Sequence, residues 1–298
     1  MKRRFHRESL GDRIFLAFVY ASLFVATIVV VYPLLYIVSA SFSSTKAVIT
    51  GKVWILPVEP TLLGYKTIFE SKSIMGGYAN SFLYTIVGTA VNVVVTVIAA
   101  YPMSLKDFYG RKTLMGLFLF TMIFSGGLIP SFLLVKQIGI YDSLWALVLP
   151  GAMSVWNMIL VRTYFQSSIP KELHDSAEID GCSDLRFLLR IALPLSRPIL
   201  AVITLYYAVG HWNSYFNALV FLKSPVKFPL QMVLRNILIM NQMDQNLVSD
   251  LHLLESMRGL SELLRYAVIV VASVPLLMLY PFIQKHFVKG VMIGSLKG

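Results

Sequence analysis

Charged side chains are scarce in this sequence of 298 residues. Asp, Glu, Lys and Arg make up 14% of the chain, whereas a soluble domain carries roughly 25%. Apolar residues make up 57%, an excess that a single water-soluble core cannot bury. An ordinary soluble enzyme or binding domain is therefore excluded. A lipid bilayer supplies the missing apolar solvent, so we predict an integral membrane protein.

Cysteine is almost absent as well. The single Cys182 excludes an intrachain disulfide, a redox pair and a cysteine metal cluster. The sequence also lacks the phosphate-binding pattern Gly, four residues, Gly-Lys-Ser/Thr, the nucleophile turn Gly-x-Ser-x-Gly, and paired histidines at metal spacing. We therefore expect no catalytic residue, no metal and no cofactor bound by this chain, and we predict that it is not an enzyme.

The sequence does contain a series of long uncharged runs. A helix needs about 20 apolar residues to cross a bilayer, and six stretches of at least 19 residues contain no Asp, Glu, Lys or Arg. They are residues 14–45, 73–105, 113–135, 143–161, 198–222 and 266–284. We predict an all-α membrane fold of six transmembrane helices within 14–285, with an N-terminus at 1–13 and a tail at 286–298.

Basic residues predict how these helices are oriented. Lys and Arg concentrate on cytoplasmic segments, and residues 2–4 read Lys-Arg-Arg. With the N-terminus inside, 16 of the 26 basic residues lie in cytoplasmic segments. Both termini are therefore expected in the cytoplasm. Residues 38–40 resemble a cleavage site, but the apolar run 14–38 exceeds the roughly 7–15 residues of a signal-peptide core, which favours a retained anchor.

The most informative stretch is the predicted cytoplasmic loop 167–197. Ser168 can cap a helix with Pro170 in its first turn, where no N–H is needed. Gly181 can end that helix in the left-handed conformation, and a second helix can begin at residues 183–184. The sequence predicts a helix–glycine–helix element whose first helix is acidic and exposed.

A spaced motif runs through the same loop. Asp175-Ser176-Ala177 is followed after three residues by Gly181, then after nine residues by Ile191, and by Leu193-Pro194. This pattern resembles the permease signature of binding-protein-dependent ABC importers, which reads Glu-Ala-Ala, three residues, Gly, nine residues, Ile, one residue, Leu-Pro. Asp replaces Glu and Ser replaces the first Ala, which leaves open how tightly this subunit grips its ATPase.

The resemblance extends over the whole chain. Residues 212–216, 280–284, 287–290 and 294–298 look like the carbohydrate-uptake branch. The chain is similar to the second, smaller permease of maltose-type importers. Within that group it resembles the subset that imports larger or acidic oligosaccharides, such as alginate or rhamnogalacturonan fragments. The fold implied is the type I ABC importer permease, and the function implied is ATP-driven import of oligosaccharides.

The resemblance also implies partners in a bacterial cytoplasmic membrane. They are a second permease in a heterodimer, two ATPase subunits that bind ATP and Mg²⁺, an extracytoplasmic solute-binding protein, the oligosaccharide and membrane lipid. Nucleic acid is not expected, because topology accounts for the net charge of +11. The loop 167–197 would act as a coupling helix in a cleft of an ATPase. Its implied coupling residues are Glu172, Asp175, Ser176, Ala177, Gly181, Ile191, Leu193 and Pro194.

Polar side chains inside the runs are candidates for a substrate path, because they usually face a cavity or another helix. Run 198–222 mixes aromatic rings with amides, a combination that holds sugars. The candidates are Asn157, Tyr206, Trp212, Asn213, Tyr215 and Asn217. Helix–helix hydrogen bonding is the alternative for Asn92 and Asn157, and the membrane interface is the alternative for the aromatic residues.

Two other functions remain open. The chain could belong to an ABC importer of another solute, a peptide or an amino acid. A channel or secondary transporter would need ionisable residues inside the spans, and the six runs are expected to hold none. Copurification of an ATPase with this chain would distinguish the ABC importer from a channel or secondary transporter.

Overall fold

The computed structural model describes residues 9–243 and 260–278. Every regular element within these residues is helical, so the predicted all-α class is confirmed. Short 3₁₀ turns occupy Leu149–Gly151 and Pro225–Lys227, and a π-helical turn occupies Leu188–Ala192. The helices are α1 Leu10–Ser41, α2 Thr45–Ile49, α3 Leu63–Glu70, α4 Lys72–Ser104, α5 Arg111–Ile123, α6 Leu128–Gln137, α7 Leu144–Val148, α8 Val155–Ser168, α9 Lys171–Ile179, α10 Asp184–Phe187, α11 Leu193–Leu195, α12 Arg197–Trp212, α13 Phe216–Phe221, α14 Leu230–Met243 and α15 Leu260–Met278.

The described residues form two compact units. The first comprises those within Met1–Glu70 and Ile237–Ala272, and the second those within Ser71–Asn236 and Ser273–Gly298. In the first unit a capping box begins α1: Asp12 N donates to Ser9 Oγ at 3.2 Å and Ser9 N donates to Asp12 Oδ2 at 3.1 Å. The far end of α1 packs with α2 around buried Ala40 and Val48.

The second unit is built around α4, which packs chiefly against α12 and α8. Apolar side chains form a buried core at these contacts. Their buried members are Val97, Ala100 and Met103 of α4, Met158, Val161 and Phe165 of α8, and Ile203 and Tyr207 of α12. Residues 187, 188 and 192, which follow the predicted coupling glycine, belong to the same core.

Three helices, α1, α4 and α15, are each long and apolar enough to cross a membrane. The predicted runs 113–135, 143–161 and 198–222 are each bent or interrupted and do not form one straight helix. Helices α5 and α6 meet at 113°, Leu144–Gly151 meets α8 at 54°, and α12 ends at Trp212. Helix α12 is also bent by 84° against the helical stretch before it. By length and composition, residues 9–243 and 260–278 contain up to six spans if each bent pair counts as one.

Local sequence explains these breaks. Gly127, with φ +86°, lies between α5 and α6 in a conformation that favours glycine. Pro150 follows α7 and has no N–H to continue an α-helix. At the end of α12, Asn213 is the C-cap, and its Nδ2 donates to Val209 O at 3.0 Å. A window that counts charges alone does not detect any of these signals.

Side chains satisfy the backbone groups freed at the second break. Asn92 Nδ2 donates to Gly151 O, so its Oδ1 accepts from His211 Nε2 at 2.6 Å. Tyr207 Oη accepts from Ser154 N at 3.0 Å.

The expectation that the runs hold no ionisable residue is wrong, because His211 lies in run 198–222. Helix–helix hydrogen bonding, the alternative considered for Asn92, is confirmed.

Candidate functional site

The loop 167–197 folds as two helices joined at a glycine. Helix α8 ends at Ser168, and Pro170 is the N-cap of α9. The prediction that Ser168 caps α9 is therefore wrong, because α8 continues through that residue. Gly181 has φ +74° and follows the C-cap of α9, as predicted. Ser183 then occupies the N-cap position of α10.

The first helix presents acidic and apolar side chains to solvent. Glu172, Asp175 and Ser176 are exposed, and Ile179 is 87% exposed. Gly181 is exposed too, and a Cβ built on it meets no heavy atom within 4 Å. This open surface at the glycine leaves room for another molecule to approach the backbone.

Contacts on the opposite side fix the two helices relative to each other. Cys182 N donates to Ala177 O at 2.9 Å, and both side chains pack against the core of the second unit. His174 Nε2 lies 3.3 Å from Asp184 Oδ1, and the His174 ring meets that of Phe187 edge to face at 4.8 Å between centroids. Phe187 is only 3% exposed, so the loop is joined to the membrane core through it.

The end of the motif is embedded in the helical bundle. Ile191 and Leu193 are half-buried and pack against the core, whereas Pro194 is exposed. Ser196 N then donates to Ala192 O at 3.0 Å at the bend into α12. The end of the motif therefore packs against the same core as Ile199 and Leu200 near the start of α12.

A cleft of about 1310 Å³ lies between the loop 167–197 and the connection 104–111 from α4 to α5. An exposed ion pair joins its two walls, with Lys171 Nζ 3.9 Å from Asp107 Oδ2. Near it, the exposed Gln166 donates from Nε2 to Ser104 O at 3.0 Å. These contacts hold the start of α9 and the end of α8 near the end of α4 that is predicted to be cytoplasmic.

The candidate substrate-path residues occupy different environments. Asn157 is buried near the start of α8, Tyr206 is exposed on α12, and Tyr215 and Asn217 are exposed after the break. Trp212 and Asn213 are adjacent in sequence but differ in burial. Trp212 is 3% exposed and meets Tyr78 and Phe82 edge to face, whereas Asn213 is exposed. Their contact with substrate remains a prediction.

Comparison with known proteins identifies the family. The family described as "Binding-protein-dependent transport system inner membrane component" matches residues 72–293. The chain belongs to this family. The spaced motif from Asp175 to Pro194 in loop 167–197, which resembles the permease signature, agrees with this assignment.

Individual relatives of this permease are similar over nearly their full length. The polygalacturonan/rhamnogalacturonan transport system permease protein YtcP of Bacillus subtilis is 41% identical over 97% of this chain and 100% of its own. The galactooligosaccharides transport system permease protein GanQ of the same species is 32% identical over 95% of this chain and 96% of its own.

A solved structure shows the same fold. One chain of the crystal structure of a bacterial ABC transporter involved in the import of the acidic polysaccharide alginate superposes with a TM-score of 0.86 at 33% identity. The match covers 95% of this chain and 99% of that one. The predicted importer-type permease fold is thereby confirmed.

Sequence reasoning missed two polar residues that organise the second unit, His211 and Asp142. His211 stood in an uncharged run but was not treated as ionisable. Asp142 follows Gly139 by three residues in a short loop, and Asp tolerates the left-handed conformation better than most residues. That combination was the available signal for a turn in which a carboxylate binds backbone N–H groups.

Proposed function

We propose that this permease is one of two membrane subunits of an importer that carries acidic oligosaccharides into a bacterial cell. The observation that carries the proposal is the exposed helix–glycine–helix loop 167–197, anchored in the core through Phe187. The loop would bind in a cleft of an ATPase subunit, and ATP with Mg²⁺ would be hydrolysed in that partner. Closure of two ATPases would move Gly181 and, through Ile191, the start of α12.

The acidic substrate class is supported by two of the similar proteins. YtcP is named for polygalacturonan and rhamnogalacturonan, and the solved structure for alginate. The three similar proteins described above are all named for saccharides, which favours a sugar over a peptide or an amino acid as the substrate. Uptake of short galacturonan oligomers, with neutral galacto-oligosaccharides as the matched control, tests this choice. Equal uptake of both sugars would contradict an acidic preference.

We also propose that both termini lie in the cytoplasm, as the basic N-terminus predicts. In a Cys182→Ser background, a cysteine introduced at residue 176 should be inaccessible to an impermeant thiol reagent added to intact cells. A cysteine introduced at residue 65 should be labelled. The reverse pattern would require the opposite orientation, with the loop 167–197 outside.

Reconstitution tests the mechanism. The complete transporter would contain this chain, the second permease, two ATPase copies and the loaded solute-binding protein. We expect ATP hydrolysis only when the second permease and both ATPase copies are present, and we expect the loaded binding protein to stimulate it. ATP hydrolysis by this chain alone would contradict the proposal.

A further inference from the structure

Residues 222–230, which we call the outer segment, follow α13 on the side predicted to face away from the cytoplasm. Their backbone is mostly irregular, with one 3₁₀ turn. Side chains of α4 nevertheless bind several of its backbone groups. The hydrogen bonds are Asn80 Nδ2 to Val226 O at 2.7 Å and to Phe228 O at 3.1 Å, Tyr84 Oη to Lys227 O at 2.7 Å, and Leu230 N to Ser81 Oγ at 2.9 Å.

Asp142, in the loop between α6 and α7, holds the same segment from a second side. Its Oδ1 accepts from Lys223 N at 2.9 Å and Ser224 N at 3.0 Å. Its Oδ2 accepts from Ser224 Oγ at 2.6 Å and Lys227 Nζ at 2.9 Å. Asp142 N in turn donates to Phe221 O at 2.9 Å. We call this set of bonds the Asp142 clamp.

The backbone of Asp142 is itself in an uncommon conformation, with φ +56°. A glycine would relieve that strain but would lose all four hydrogen bonds to the carboxylate. Both carboxylate oxygens are fully used, and the clamp closes between two loops that are 81 residues apart in sequence. The strained conformation is therefore retained together with a specific set of contacts.

The clamped segment presents its middle to solvent. Val226 is 87% exposed, and Pro225 and Lys223 beside it are exposed as well. A surface loop that only joins two helices is ordinarily mobile, and it needs no fixation from two other elements. An exposed apolar tip on a fixed backbone is the arrangement of a preformed contact surface, because pre-ordering lowers the entropy lost on docking.

We propose that Asp142 is a positioning residue for docking of the solute-binding protein, because its clamp holds the outer segment in the shape that the binding protein contacts. This inference rests on the proposed function, which supplies that partner and places the segment outside. The binding protein would contact the exposed tip at Val226, and Asp142 would act through the backbone of residues 223–227 without touching the partner itself.

The test uses the complete reconstituted transporter, with ATP hydrolysis measured against the concentration of loaded binding protein. Asp142→Asn keeps the side-chain shape and the tolerance of positive φ but replaces one acceptor oxygen by an amide donor. We expect the half-saturating concentration to rise about tenfold, the shift expected if the segment is correctly formed a tenth of the time. The maximal rate should fall much less.

Ser224→Ala and Val226→Arg provide independent arms. Ser224→Ala removes only the hydroxyl donor of the clamp and should produce a smaller shift in the same direction. Val226→Arg alters the tip without touching the clamp, and should raise the half-saturating concentration with no change in thermal stability. Glu59→Asn is the matched control, because Glu59 is a non-glycine residue of the first unit that also has positive φ, at +51°.

The outcomes separate the inference from the function on which it rests. If the parent transporter shows no stimulation by the binding protein, the proposed function fails. If the parent is stimulated and the assembled Asp142→Asn and Ser224→Ala transporters match its half-saturating concentration, the positioning role is refuted. Should Asp142→Asn fail to assemble, Ser224→Ala decides alone. A fall in maximal rate at unchanged half-saturation would likewise refute it, since that is the pattern of general damage.

Discussion

Replacing Gly181 by valine tests the coupling loop most directly. Gly181 has φ +74°, and a Cβ added there meets nothing within 4 Å. The added Cβ therefore creates no steric clash with the described residues. What remains is the backbone penalty, about 1–2 kcal/mol for a residue with a Cβ. That equals a factor of roughly 5–30 in a conformational equilibrium, and because the site is exposed it should spare membrane insertion and folding of the helical core.

Two further variants separate backbone strain from bulk at the docking surface. Gly139→Val places the same residue at φ +81°, also with nothing within 4 Å, but outside the loop 167–197. It carries the same backbone penalty and should leave coupling intact. Gly181→Asn introduces bulk with a residue that tolerates positive φ. If docking requires an open glycine surface, Gly181→Asn should impair coupling almost as much as Gly181→Val.

The assay combines ATPase pull-down, uptake and membrane abundance. We expect Gly181→Val to reach the membrane at near-normal levels while uptake falls at least tenfold, with Cys182→Ser near neutral. Normal pull-down and uptake by Gly181→Val would refute the assignment of this loop to coupling. Equal loss in Gly139→Val would show that the backbone penalty alone destabilises the protein, and the coupling argument would then have no support.

Three other predictions concern the remaining polar sites. Hydrogen bonds from Ser224, then from Lys227 and Lys223, hold the pKa of Asp142 well below its usual 3.8. The clamp should therefore stabilise the fold fully above pH 3.8 and lose this effect progressively as the pH falls below that value. The difference in thermal stability between parent and Asp142→Asn should be constant from pH 8 to 5 and shrink below pH 4. Asn92→Ala leaves Gly151 O and His211 Nε2 without this partner and should destabilise the protein by about 1–3 kcal/mol, measured as a lower unfolding midpoint in detergent, whereas an unchanged midpoint would contradict the bridging role. Trp212→Ala should reduce assembly, because emptying a buried aromatic site costs about 3–5 kcal/mol. Asn213 is exposed, so Asn213→Ala should assemble normally and should lower uptake only if Asn213 contacts the sugar. Complex yield measures the first effect and uptake rate measures the second.

The helix–glycine–helix structure of loop 167–197 could be predicted from sequence because its signals are local. Pro170 near the helix start and Gly181 at its end each act within a few residues, and the structure places Gly181 in the expected left-handed conformation. The error at Ser168 arose because a serine can either cap one helix or end the previous one. Which of the two occurs depends on where α8 ends. Packing of Phe165 in the core stabilises the end of α8, and the motif does not contain that information.

The broken spans could not be predicted by counting charges, since a break in a membrane helix depends on what satisfies the freed backbone groups. At Gly151 that partner is Asn92, 59 residues earlier in the chain, and at Ser154 it is Tyr207, 53 residues later. Both partners become neighbours only after α4, α8 and α12 have packed. Sequence can show that Pro150 permits a break, but tertiary contacts decide that the break persists.

The same principle connects the membrane interior to the outer segment. In both places irregular backbone is held by side chains from distant elements: Asn92 and Tyr207 at the break after α7, and Asp142 with Asn80 at residues 222–230. Residues 149–154 and Asp142 lie at opposite ends of α7, so a single short helix links the two fixed regions. If α7 moves as a rigid body during transport, displacement at one end must change contacts at the other. Combining Asn92→Ala with Asp142→Asn tests this link, because independent sites add in their effects on stability whereas coupled sites do not; an additive double variant would show that α7 transmits nothing between them.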